Sequence, residues 1–384
     1  MRRIRYILPL LAILLWTCKT PQLTNTSIVA QPDFAESPKN IILLIGDGMG
    51  LGQISAAILD KDSPSVFELF KHIGLQKTHA VNNLITDSAA AATAIACGKK
   101  TYRNAIGMDK DTVACQSILE EAELKNLSTG VVVTSSLVHA TPGSFYSHVP
   151  LRSLYEYIAL DLFNNKIDFA VGGGRKYFDQ RSVDERNLIK DMKEAGYLIG
   201  DFNNAILRKI GEDTQQPVVM FTGENRPNSV LEGRDYLPYA SFKAMNYLKN
   251  RVDEGFFLLI EGSQIDWAGH ANEAANVLRE MHDFEETIYE VLKFASQDKE
   301  TLVIVTADHE TGGLAINPKS KRKRLKLEFT TNNHTGTMVP VFAYGPKAEL
   351  FEGIYDNTAI YHKMREAFGW EKQVLETMNN TLQK

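Results

Sequence analysis

Seven short, nearly uninterrupted apolar runs recur along the chain: Asn40–Ile45, Thr129–Thr134, Asp168–Val171, Val218–Phe221, Phe256–Ile260, Thr301–Thr306 and Val339–Tyr344. They are rich in β-branched residues and lack polar alternation, so they read as strands buried on both faces, the habit of a parallel sheet. Between them, apolar positions return at helical spacing over Ala89–Ala96, Val183–Ala195, Tyr239–Leu248, Ala271–Ala295 and Thr358–Phe368. Strands alternating with helices predict a doubly wound α/β fold, with a mostly parallel central sheet and helices on both faces. No internal repeat and no further boundary is visible, so residues 39–384 are expected to form one domain.

The amino-terminal segment follows a different pattern. Arg2, Arg3 and Arg5 precede an apolar run from Tyr6 to Trp16, and Cys18 comes directly after it. A basic start and an apolar stretch of roughly 7–15 residues read as an export leader over residues 1–18. Cys18 stands where bacterial lipoproteins carry their lipid, and residues 19–38 are polar, as in a linker. The expected location is therefore outside the cytoplasm of a bacterium, periplasmic or membrane-anchored, with membrane contact only through a lipid on Cys18. No later stretch reaches the roughly 18 apolar residues of a membrane span. Export also makes a disulfide between Cys97 and Cys115 chemically accessible, but Cys97 falls in an Ala-rich helical stretch and reads as a buried free thiol.

Composition narrows the function. The net charge is −5, which gives no overall basic field for nucleic acid, and three cysteines make neither a disulfide scaffold nor a four-Cys zinc module. Lys319–Lys326 is a local basic run that reads as a solvated loop, with contact to an anionic surface or polyanion as the alternative.

Chemistry gathers where the strands end. Ligands in open α/β sheets bind beyond the carboxyl ends of the strands, and there stand Asp47, His139, Thr141, Glu261, Asp308 and His309. Asp266 and His270 are four residues apart, so one helical turn points both at a shared ion. His334 offers a further nitrogen. Mixed carboxylate and imidazole donors suit Zn²⁺, and the oxygen set of Asp47, Thr141 and Glu261 suits Mg²⁺. Asp87-Ser88 opens an Ala-rich helix. Ser88 reads either as a helix cap or as a nucleophile, because a helix amino terminus presents free N–H groups and partial positive charge to a phosphoryl group.

Taken in order, GDGMG with Asp47, TDSAAAATA with Ser88, HATPGSFYSHVPLR with Thr141 and Arg152, EGSQIDWAGH, and TADHETGG followed by His334 resemble the bacterial alkaline phosphatases. The resemblance implies a metal-dependent phosphomonoesterase that works through a phosphoserine on Ser88, and a homodimer. It implies one zinc on Asp266, His270 and His334, a second on Asp47, Asp308 and His309 beside Ser88, and a magnesium on Asp47, Thr141 and Glu261. Arg152 would grip the phosphate. Asp87, His139 and Trp267 would line the substrate and the third metal. His139 and Trp267 replace the Asp and Lys of the best-known enterobacterial pattern, as in short cold-adapted marine members. Four carboxylates against three divalent cations leave excess positive charge, which favours a monoester dianion over the monoanion of a phosphodiesterase, the alternative within the same superfamily. No C/S-x-P-x-R context for a sulfatase surrounds Cys97, Cys115 or Ser88.

Overall fold

The computed structural model describes residues 32–201 and 215–370. The expected leader 1–18 with Cys18, most of the expected linker, and residues 371–384 of the expected domain lie outside the described residues. The strands along the chain are β1 (Asn40–Gly46), β2 (His72–Lys77), β3 (Ser128–Ser136), β4 (Phe169–Gly173), β5 (Leu198–Asp201), β6 (Val218–Phe221), β7 (Phe256–Gly262) and β8 (Thr301–Thr306). The short strands β9 (Glu310–Thr311), β10 (Leu314–Ile316), β11 (Leu327–Phe329) and β12 (His334–Thr335) follow, and then β13 (Val339–Tyr344) and β14 (Gly353–Asp356).

β1 shows why the sheet is central. Ile41, Leu43 and Ile45 belong to one apolar cluster, while Ile42 and Leu44 belong to the other. A strand with no polar face is stable only where both faces are covered. The first cluster takes in the helices Ser88–Cys97, Ile118–Leu124, Tyr155–Asn164 and Thr358–Ala367. The second takes in Leu51–Leu59, Leu237–Lys249 and Ala274–Asp298. Ten strands lie in the order β14-β2-β13-β8-β1-β7-β3-β4-β6-β5, and β13 alone runs antiparallel to its neighbours β2 and β8. The doubly wound, mostly parallel sheet read from the sequence is the observed one.

The differences lie at the margins. β2, β5 and β14 carry exposed or half-buried positions, so no continuous apolar run marks them. The helix expected from Val183 begins at Leu188, where the Asn187 side chain accepts from the Lys190 N–H at 3.0 Å. The one expected over Ala271–Ala295 is shifted to Ala274–Asp298, because the preceding helix Gln264–His270 is capped at Ala271 and Asn272 turns left-handed (φ 55°). The expected linker is partly built into the fold. Phe34 packs edge-on against Tyr344 at 5.2 Å, and Ala35 donates to the Lys299 carbonyl at 3.0 Å. An aromatic ring in a polar segment has found an apolar seat, so the domain begins before residue 39.

Cys97 and Cys115 are both free and buried, and the Cys97 thiol donates to the Cys115 carbonyl at 3.3 Å. Under the second helical layer, Arg234 pairs with Glu280 and, at 2.7 Å, with Asp283; the Arg234 and Glu280 side chains are each 1% exposed.

Candidate metal centre and phosphoryl site

The order β8-β1-β7-β3 places four parallel strands side by side, with Ile45 in register with both Glu261 and Thr306. Their carboxyl ends therefore deliver Asp47, Glu261 and Asp308 to one hollow, each fully buried. Close approach of backbone is part of the arrangement. Gly48 holds φ 74°, and a Cβ there would come within 2.8 Å of the Asp266 backbone. Its N–H and that of His309 donate to Asp308 Oδ1 at 3.2 and 2.9 Å.

Three donor clusters result. Asp266 Oδ1 lies 3.4 Å from His270 Nε2 and 3.5 Å from His334 Nε2, and the two nitrogens are 3.0 Å apart. His309 Nε2 lies 3.1 Å from Asp308 Oδ2, 3.5 Å from Asp47 Oδ1 and 3.4 Å from Ser88 Oγ. Asp47, Glu261 and His139 form the third group, their donor atoms within 4.8 Å of one another. The first two clusters adjoin, since Asp266, His309 and His334 also share donors within 4.8 Å and the rings of His309 and His334 stack at 3.6 Å.

Hydrogen bonds behind the imidazoles set their direction. His270 Nδ1 faces the Asn332 carbonyl at 2.7 Å, and His334 Nδ1 faces the Thr86 carbonyl at 2.9 Å. A carbonyl only accepts, so each Nδ1 carries the proton and each Nε2 presents a lone pair. Two such lone pairs meeting beside a carboxylate repel unless a cation lies among them. The rest of the hollow tells the same story. Both Asp47 oxygens, Glu261 Oε1, Asp308 Oδ2, Thr141 Oγ1 and His139 Nδ1 are buried without a hydrogen-bond partner among the described residues. Burial without partners is costly for such groups, and divalent cations would satisfy the oxygens among them.

The protonation equilibria reflect this crowding. Burial, and then the charges of Asp308, Asp266 and Glu261, push Asp47 well above the usual carboxylate range. Burial pushes Glu261 up to about 7. Burial would also raise Asp308, but the adjoining His309 holds it below its ordinary value. His139 is pushed down to about 3, by burial and then by the Arg152 charge, so its ring stays neutral.

Ser88 stands at the first position of its helix, not at the cap. The cap is Asp87, whose Oδ1 accepts from the Ala90 N–H at 3.2 Å. The other Asp87 oxygen accepts from the Asn104 N–H at 3.1 Å and from Arg152 Nη1 at 3.2 Å. Arg152 Nη2 lies 3.3 Å from His139 Nε2. A guanidinium only donates, so His139 Nε2 accepts and its Nδ1 carries the proton. His139 and Trp267 meet edge to face at 5.9 Å and line a cavity of about 200 Å³ with Tyr155, Tyr177, Asn225 and Arg226.

The residues read from the sequence as metal ligands, nucleophile and phosphate grip thus lie in or beside this hollow. Sequence reasoning passed over Thr311, which donates to Asp266 Oδ1 and lies 3.3 Å from His309 Nδ1. It also passed over Arg226, whose guanidinium sits 5.7 Å from the Trp267 ring. Thr311 lies two residues beyond His309, and that spacing was the available signal; Arg226, in a loop distant in sequence, gave none.

Comparison with known proteins agrees with this geometry. The family model described as alkaline phosphatase matches residues 38–323 and 314–370. Alkaline phosphatase 3 of Bacillus subtilis is 34% identical over 424 residues, covering 88% of this chain and 90% of that one. Among solved structures, the alkaline phosphatase of the Antarctic bacterium TAB5 superposes with a TM-score of 0.83 at 41% identity, covering 87% of this chain and 99% of its own. A variant of the TAB5 enzyme with a histidine replaced by Glu, which has Mg bound in its M3 site, gives a TM-score of 0.83 at 40% identity over the same shares.

Proposed function

The chain belongs to the alkaline phosphatase family and hydrolyses phosphate monoesters, and from that premise we propose that Ser88 is its nucleophile, that Arg152 grips the phosphoryl group, and that three divalent cations complete the site. Asp266, His270 and His334 would hold one zinc, and Asp47, Asp308 and His309 a second, beside Ser88. Asp47, Thr141 and Glu261 would hold magnesium. The donor chemistry supports this division: mixed imidazole and carboxylate donors suit Zn²⁺, and an oxygen set suits Mg²⁺. When bound, the cations supply Lewis-acid charge, which lowers the pKa of oxygens near them and offsets negative charge building on the transferring group.

The chain's own groups account for the rest of the path. Ser88 Oγ attacks phosphorus, an O–P bond forms to Ser88, and the bond to the departing alcohol breaks. Water then cleaves the phosphoserine, which restores the hydroxyl and releases inorganic phosphate. Ser88 sits in the first turn of its helix, where unshared N–H groups and the positive end of the dipole favour an incoming dianion. Asp87 and His139 hold the two guanidinium nitrogens of Arg152 as a fork, the shape that clamps two phosphoryl oxygens at once. His139 is neutral and adjoins Asp47 and Glu261, but with its Nδ1 protonated and its Nε2 accepting from Arg152 it offers this third group no free lone pair. The TAB5 variant with Mg in its M3 site supports the view that a carboxylate in such surroundings suits magnesium better.

The observation that carries this reading is Ser88 Oγ 3.4 Å from His309 Nε2, at the edge of a cluster of partnerless buried carboxylate oxygens. The test is Ser88→Ala, assayed for monoester turnover and for bound zinc and magnesium. Turnover falls by ~10³-fold or more while metal content holds; turnover retained with a full metal complement removes Ser88 from the mechanism.

A further inference from the structure

The hairpin of β10 and β11 ends in Lys319-Ser320-Lys321-Arg322-Lys323-Arg324-Leu325-Lys326, and all six basic side chains are exposed. The turn is a built one. Arg324 N–H donates to the Lys321 carbonyl at 2.8 Å, Ser320 Oγ donates to Asn317 O at 2.7 Å, and Ser320 Oγ accepts from the Lys326 N–H at 2.9 Å. Half-buried Leu325 packs on the second apolar cluster. The tip is also fastened down: Lys323 N–H donates to the Leu59 carbonyl at 3.1 Å, and Arg322 Nη1 to the Lys61 carbonyl at 2.7 Å. Of the six cations, Lys323 alone has an acidic partner, Asp62, among the described residues. Neighbouring acids are engaged elsewhere, Glu285 by Lys61 at 2.7 Å and Asp60 by His282 at 3.1 Å. Concentrated positive charge is therefore held on one exposed turn of a chain whose net charge is −5.

Its place in the fold separates it from catalysis. The helix Leu51–Leu59 starts just after Gly48 at the catalytic hollow and runs away from it, so its far end, where the tip is fastened, is about 13 Å off along the axis. That exceeds the Debye length of about 8–10 Å at physiological salt, so the tip does not steer small phosphate esters into the site. The segment after Leu59 leads to His72, the first residue of β2, which shares a hollow with Phe34, Ala35 and Glu36. The amino-terminal segment thus enters the domain at the end of the sheet toward which the tip is displaced, opposite the catalytic end.

We propose that this basic tip docks the enzyme on an anionic lipid bilayer, with the catalytic hollow turned toward bulk solvent. Clustered Lys and Arg are drawn to acidic headgroups by diffuse charge without a shaped pocket. The run has no aromatic side chain on which nucleic-acid bases would stack. The leader and Cys18, as read from the sequence, bring the same end of the chain to a membrane.

The experiment is co-sedimentation of the full chain with phosphatidylcholine vesicles and with mixed phosphatidylcholine–phosphatidylglycerol vesicles, at low and high salt. The wild type and the quadruple variant K319E/K321E/R324E/K326E are compared, with turnover of a soluble monoester as the check on folding. The wild type partitions to the anionic vesicles on the order of 100-fold more than the variant at low salt, and salt erases the difference. A lipid on Cys18 would bind both vesicle types alike and so does not mimic this preference. Equal binding of the wild type to both compositions overturns the proposal. So does an anionic preference that survives in the active variant, or retention on duplex DNA with no preference for anionic vesicles.

Discussion

Replacing Glu261 by Gln should stabilise the metal-free protein and destabilise the loaded one. Glu261 is fully buried on β7, where Ser135 Oγ donates to its Oε2 at 3.2 Å, a bond the Gln carbonyl can accept equally well. Burial moves its carboxyl from 4.5 to about 7, so the folded chain holds a proton that the unfolded chain has released. A raised carboxyl pKa weakens the fold as pH climbs from the unfolded value through the folded one. At 1.36 kcal/mol per pKa unit, a carboxyl titrating at about 7 costs the folded chain about 3 kcal/mol once it is ionised. Urea unfolding in chelator, followed by tryptophan fluorescence, should therefore find Glu261→Gln and wild type alike near about pH 4, with the variant ahead by about 3 kcal/mol near about pH 8. With zinc and magnesium restored the order inverts, because the carboxylate then meets cations and Gln offers them less. Chelated wild type that matches or exceeds the variant at the higher pH would refute the reasoning.

Three other perturbations separate the site's parts from one another and from the scaffold. Arg152→Ala removes the paired donors held by Asp87 and His139, so KM for a monoester and Ki for inorganic phosphate should both rise about 10- to 100-fold in steady-state assays. His139→Asp puts a hard oxygen donor beside Asp47 and Glu261, and the magnesium concentration that restores half-maximal activity after chelation should fall at least several-fold. Arg234→Ala strands Glu280 and Asp283 under the second helical layer, which should cost about 3–5 kcal/mol in urea unfolding and leave turnover per folded molecule unchanged.

The central strands were legible because β1, β3, β7 and β8 are buried on both faces and can carry no polar alternation. β14 was silent because it is an edge strand and β2, beside it, because its face is only partly covered, so in both some positions meet water and break the apolar run. In the site, motif spacing revealed the residues contributed by single segments, such as Asp266 with His270 and Asp308 with His309. What sequence could not supply was orientation. That His334 is aimed by the Thr86 carbonyl, and Arg152 by Asp87 and His139, depends on contacts between segments remote along the chain. Asp87 rather than Ser88 capping the helix belongs here too, since both residue types cap well and only the backbone tells which does.

The position of β13 governs when such a molecule becomes competent. β2 lies early in the chain, yet its sheet partners are β13 and β14, hundreds of residues later. During synthesis His72–Lys77 must wait without either partner until almost the entire polypeptide has emerged, and the last imidazole of the catalytic hollow, His334, arrives only just ahead of them. A ribosome-bound fragment lacking the final segment has neither a finished sheet nor a finished reaction centre. Enzymatic activity therefore cannot appear before His334 and β13 have joined the fold, so the growing polypeptide stays chemically silent through most of its synthesis.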